Sequence, residues 1–123
     1  MGQQYLIDSN IIIGYAAKIL PTKSMEMMDS ILPSISVISR IELLGWHNAT
    51  DEQLAKSSNI LSRVSIFDLT ENIIQKTIAI RQKCKVKTPD AIIAATALVN
   101  NFTLITRNES DFKDIEGLQI LNL

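Results

Sequence analysis

The chain has one cysteine, Cys84, and one histidine, His47, in 123 residues. A lone cysteine excludes an internal disulfide and a cysteine-rich zinc site, and it suits a reducing compartment. A lone histidine excludes two-histidine acid–base ribonuclease chemistry and histidine-rich metal sites. The four glycines, Gly2, Gly14, Gly45 and Gly117, lie far apart. Neither a phosphate-binding loop nor a dinucleotide fingerprint can be assembled from them, and no Gly-x-Ser-x-Gly elbow occurs. Charge of one sign is also lacking: twelve Lys and Arg stand against thirteen Asp and Glu, a net −1. A general electrostatic polyanion binder would carry a large basic excess. No apolar run approaches the roughly 18 residues of a membrane span, and the first residues carry no basic leader. The expected protein is cytoplasmic, with no membrane association. Any catalyst must work with carboxylates, hydroxyls, amides, Lys and Arg.

At 46% hydrophobic, the chain has enough apolar residues for one globular core, so residues 1–123 are expected to form a single domain. Short apolar runs alternate with helical patterns. Tyr5–Ile7 reads as a buried strand ending at Asp8, with capping chemistry at Ser9-Asn10 and a helix to about Lys18. Thr22–Leu32 reads as an amphipathic helix, Ser34–Ile38 as a β-branched strand and Arg40–His47 as a short helix. A helix over Asp51–Arg63, a strand over Ser65–Leu69 and a Thr70-capped helix to Lys83 follow. Thr88-Pro89 opens a helix that is apolar on nearly all sides; strands at Phe102–Thr106 and Gln119–Leu121 complete the chain. This alternation predicts an α/β fold, a parallel sheet covered on both faces. Active sites of such sheets gather at the carboxyl ends of the strands.

Nine of the thirteen acids fall where solvent reaches them; four do not fit that pattern. Asp8 ends the first strand, Glu42 lies in Ile41-Glu42-Leu43-Leu44, and Asp90 heads the most hydrophobic helix. Asp111 follows the Phe102–Thr106 strand. Buried carboxylates are costly and need a cation or protons. Oxygen ligands without His or Cys point to Mg²⁺, with Mn²⁺ as the alternative. Each acid also has a structural reading. Asp8 serves as the polar end of a strand, Glu42 completes a capping box with Ser39, Asp90 favours a helix dipole, and Asp111 caps a turn. All four, however, follow a strand or start a helix, positions that converge on one sheet edge.

The blocks Tyr5-Leu6-Ile7-Asp8-Ser9-Asn10, Ser39-Arg40-Ile41-Glu42-Leu43, Pro89-Asp90-Ala91-Ile92 and Thr106-Arg107-Asn108-Glu109-Ser110-Asp111-Phe112 resemble a PIN domain. The resemblance is closest to VapC-type toxins of toxin–antitoxin pairs and covers the whole chain in order. Ser9 stands where Thr is usual. The resemblance implies a three-layer α/β/α sandwich with about four to five strands and Mg²⁺-dependent endoribonuclease activity. It maps the four site acids to Asp8, Glu42, Asp90 and Asp111, with Asp8 and Asp90 as first choices for direct ligands. Thr106, Asn108 and Asn10 are the candidates for orienting those carboxylates. A neutralising antitoxin and a homodimer are implied by the resemblance alone.

Arg81, Lys83, Lys85 and Lys87 precede Asp90 and suit either RNA phosphates or a solvated helix end; Arg40 and Arg107 flank acid positions. Met25, Met27, Met28 and Ile31 suggest a soft apolar surface or core packing. A receiver domain needs paired acids after its first strand, and a haloacid-type phosphatase needs a second Asp where Asn10 stands. The remaining alternative is a non-catalytic PIN fold that binds RNA or protein.

Overall fold

The computed structural model describes residues 3–123. Five short strands form one sheet: β1 (Tyr5–Ile7), β2 (Ser34–Ser36), β3 (Ser65–Phe67), β4 (Thr103–Thr106) and β5 (Ile120–Asn122). Their order is β3-β2-β1-β4-β5, and every neighbouring pair is parallel. Six helices connect them: α1 (Ser9–Ala16), α2 (Thr22–Ser30), α3 (Val37–Leu44), α4 (Asp51–Leu61), α5 (Glu71–Lys83) and α6 (Thr88–Asn100). The α/β expectation holds, with the three layers and five strands anticipated. Among the described residues no helix is long and apolar enough to cross a membrane.

The two-residue period of the strands divides the apolar residues between two cores. Leu6 and Leu104 pack with Ile73 and Ile80 of α5 and the apolar face of α6. Their neighbours Ile7 and Ile105 point the other way, into Ile11 and Ile12 of α1, Met28, Leu43 and Leu61. Each such fully buried side chain contributes on the order of 1.5–3 kcal/mol by leaving water. From β1 the chain moves outward through β2 to β3, then returns across the sheet through α5 and α6 to β4. The point where strand order reverses therefore lies between β1 and β4, and the crevice outside their carboxyl ends is where parallel sheets place ligands.

The largest departure from expectation is at β2. The β-branched run predicts a strand to Ile38, yet the strand stops at Ser36 and α3 starts at Val37, not Arg40. Ser36 is responsible: its side chain accepts the Ile38 N–H at 3.2 Å and caps the helix. The helix consequently ends at Gly45 rather than reaching His47. Elsewhere the helices α2 and α4 stop two residues short of their expected ends, and β3 stops at Phe67.

Candidate active site

Asp8 emerges directly from β1 and is 6% exposed. It is the N-cap of α1: one carboxylate oxygen, Oδ1, accepts the Ile11 N–H at 3.0 Å. The other, Oδ2, accepts the Thr106 hydroxyl at 2.6 Å. Thr106 ends β4 and is fully buried, so this bond joins the two strands that straddle the reversal point. The Asn108 N–H donates in turn to the Thr106 oxygen at 3.0 Å, fixing the hydroxyl's orientation toward Asp8. Burial holds the Asp8 carboxyl above its ordinary range; the Thr106 hydroxyl and the Ile11 amide pull it down, and the Glu42 charge pushes it up.

Asp90 sits half-buried in the first turn of α6. Its carboxyl is also raised, first by burial, then by the charges of Asp111, Glu42 and Asp8, with Lys87 opposing them. The charges of the other three candidate acids thus all act on Asp90, and that of Glu42 acts on Asp8. Glu42 and Asp111 are nevertheless exposed rather than buried. The apolar neighbours of Glu42 in sequence do not surround it, because the helix turns Ile41 outward to 60% exposure while Leu43 alone enters the core. Asp111 lies in a short 3₁₀ turn, Glu109–Asp111, after β4.

The expected capping box between Ser39 and Glu42 does not form. Ser39 lies inside α3, with its buried hydroxyl lacking a hydrogen-bond partner. Glu42 instead accepts the Ser9 hydroxyl at 2.8 Å, which ties α3 to the start of α1 beside Asp8. The sequence marks Ser9 as helix-capping chemistry and as a replacement for Thr, but Asp8 is the cap and the Ser9 hydroxyl donates to Glu42 instead. Asn10 and Asn108 reach the site through backbone rather than side chain. The Asn10 N–H lowers the Asp8 carboxyl, and the Asn108 N–H bonds Thr106. Arg40 and Arg107 pair with none of the acids: the ion pair formed among the described residues is Lys56–Glu52 on α4.

Among the described residues no three acid, histidine or cysteine side chains stand close enough to make a finished metal cage. The donor set still suits a hard divalent cation. It is all oxygen, its like charges repel at Asp90, and no Lys or Arg is in ion-pair contact with it. Loss of the Thr106 hydroxyl is the cleanest probe of the buried carboxylate. If these acids hold a divalent cation, Thr106→Val should lower the affinity for Mg²⁺ about tenfold while keeping the shape of the side chain. Calorimetric Mg²⁺ titration checks this, and an unchanged affinity would remove Thr106 from the site.

A PIN domain family model matches residues 5–118. The chain belongs to the PIN domain family. A 43-residue segment of this PIN domain is 42% identical to Ribonuclease VapC1 of Rickettsia felis, covering 35% of this chain and 32% of that protein. The match thus spans about a third of that relative's length. The PIN domain is also similar to a chain of a toxin–antitoxin complex from Klebsiella pneumoniae. That likeness has 30% identity and a TM-score of 0.78 over 97% of both chains. A chain of VapBC2 from Rickettsia felis, bound to a DNA fragment from its promoter, superposes with a TM-score of 0.85. It is 23% identical over 98% of this chain and 99% of that one, a likeness of fold.

Proposed function

We propose that this PIN domain is a Mg²⁺-dependent endoribonuclease, the toxin of a toxin–antitoxin pair, with Mn²⁺ as an alternative metal. The observation that carries the reading is the gathering of acids at the carboxyl ends of β1 and β4: Asp8 bonded to Thr106, Glu42 bonded to Ser9 beside it, and Asp90 under the charges of Asp8, Glu42 and Asp111. Asp8 and Asp90 are the proposed direct ligands, and Glu42 and Asp111 the groups that bind through water or orient it. A divalent ion there supplies Lewis-acid stabilisation of charge on the phosphoryl oxygens and eases deprotonation of the attacking water. Thr106 and the Ile11 N–H hold Asp8 at a fixed angle, so little reorganisation is needed when substrate arrives. Ser9 does the same for Glu42, orienting an exposed carboxylate toward the first turn of α1.

The toxin–antitoxin complexes among similar structures support an antitoxin partner for this chain. A cleft of about 210 Å³ between α1, α2 and α4, lined by Ile12, Tyr15, Met28, Ile31, Ile60 and Val64, offers an apolar surface for it. Tyr15 donates a hydrogen bond to Asp29 across this cleft. A homodimer and a cytoplasmic location belong to the same proposal. Incubating the purified protein with single-stranded RNA tests the activity: fragments should appear with Mg²⁺ and vanish with EDTA. Retention of RNA without cleavage would favour the non-catalytic binding module instead.

A further inference from the structure

The loop that leads into α6 carries two lysines whose placement the site acids do not explain. Residues 85–87 alternate: Lys85 and Lys87 are exposed, while Val86 between them is half-buried and packs on the α5/α6 core. The backbone is extended at Cys84 and again at Lys87, so the two lysines stand on a stretched segment that leads into α6. The segment is pinned at several points. The Arg81 Nε donates to the Val86 carbonyl at 3.3 Å, and the Cys84 thiol donates to the Asp114 carbonyl at 3.1 Å. The Lys87 carbonyl accepts the Ala91 N–H at 2.9 Å as α6 begins. Neither lysine takes part in an ion pair among the described residues. Lys87 is nonetheless the cation whose charge acts on Asp90. Lys87, the N-cap of α6, thus stands beside the first turn that holds Asp90, and Lys85 lies two residues before it on the same anchored segment.

We propose that Lys85 and Lys87 bind backbone phosphates of a single-stranded RNA that flank the bond held at the acids. This inference rests on the nuclease reading above and adds the substrate contact. A site of four carboxylates repels a polyanion, so the strand needs cations beside it to be held in register. Lysine suits this role as a point charge that carries no base preference. On this account the two lysines set affinity and leave the chemical step alone.

The test compares Lys85→Ala/Lys87→Ala with Lys18→Ala/Lys23→Ala, a control of equal charge change located near the α1–α2 side of the sheet. The probe is a mixed-sequence single-stranded RNA oligonucleotide with Mg²⁺. With Mg²⁺ saturating, so that the Lys87 charge on Asp90 does not limit metal loading, the first pair should raise KM about tenfold with kcat unchanged, and the control pair should leave both as they are. In an Asp8→Asn background, the slope of log affinity against log salt should flatten by about 1.4 on losing both lysines, since each single-strand phosphate contact contributes about 0.7. Lys85→Arg/Lys87→Arg should retain affinity and slope. Cleavage with unchanged KM and slope in the alanine pair would overturn the proposal and leave the nuclease reading standing. A fall in kcat with KM unchanged would overturn it as well. Wild-type protein that neither binds nor cuts RNA would overturn both readings together.

Discussion

Asp8→Asn should abolish Mg²⁺-dependent RNA cleavage, by a factor of about 10³ or more, while the protein stays folded. The expected loss follows from removing one proposed direct ligand: several kcal/mol of transition-state charge stabilisation are at stake, and each 1.36 kcal/mol is tenfold in rate. The fold survives because asparagine is as good an N-cap as aspartate, and its carbonyl can keep the Ile11 N–H bond seen at 3.0 Å. The new amide faces Thr106, whose hydroxyl oxygen already accepts the Asn108 N–H and has a second lone pair to offer. Removing a buried charge whose carboxyl is held above its usual range offsets part of any lost hydrogen bonding. Initial rates with and without Mg²⁺, together with a thermal melt, decide the matter. Undiminished cleavage would remove Asp8 from the catalytic set.

Mg²⁺ at a hundred times its dissociation constant should stabilise the wild-type protein by about 2.7 kcal/mol, and Asp90→Asn should lose most of that response. In EDTA at pH 7.5 the order reverses, with Asp90→Asn the more stable protein. The gain is small, about 0.5–1 kcal/mol, because Asp90 is only half-buried and solvent screens the repulsion. The sign follows from linkage. Burial and the charges of Asp111, Glu42 and Asp8 raise the folded-state carboxyl above its unfolded value. Between those two values the folded state holds more protons, so its stability rises as pH falls and is lost as pH climbs through the raised value. The advantage of Asp90→Asn should therefore shrink as the pH drops from 7.5 toward 4. The wild-type response to Mg²⁺ should shrink over the same window, because protons compete for the same oxygens. Thermal melts across that range check both trends. A metal response independent of pH, or one fully retained by Asp90→Asn, would contradict the ligand assignment.

Much of this fold is legible in local pattern. Leu6 and Ile7, and again Leu104 and Ile105, alternate between two cores because strand side chains do. The apolar girth of α6 follows from burial on several sides, with Ala91, Ile93, Ala94, Ala95, Thr96 and Ala97 all buried. Less legible is the β2–α3 junction, where Val37 and Ile38 favour a strand and a single capping hydroxyl decides for a helix. Within the site, Asp8 and Thr106 can be placed from sequence because each ends a predicted strand. The Ser9–Glu42 bond cannot, since it joins residues 33 apart that only the sheet topology brings together. The exposure of Glu42 escapes prediction for a related reason: flanking Ile41 and Leu44 imply burial until the helix phase is known.

The near-neutral charge of the chain also takes on structure. Setting aside the four site acids leaves nine acids against twelve bases, a body of net +3 around a site of −4. Such a charge distribution does not attract polyanions in general, and on the proposed reading it leaves RNA to be met through a few local cations and the bound metal.

The most direct measurement is the chemistry of the ends that the wild-type protein leaves on single-stranded RNA. If carboxylate-directed water is the nucleophile, the first-formed products carry a phosphate monoester on one fragment and a hydroxyl on the other. They form only with Mg²⁺ or Mn²⁺ present, and Asp8→Asn does not yield them. First-formed 2′,3′-cyclic phosphate ends, or cleavage that persists in EDTA, would contradict the account.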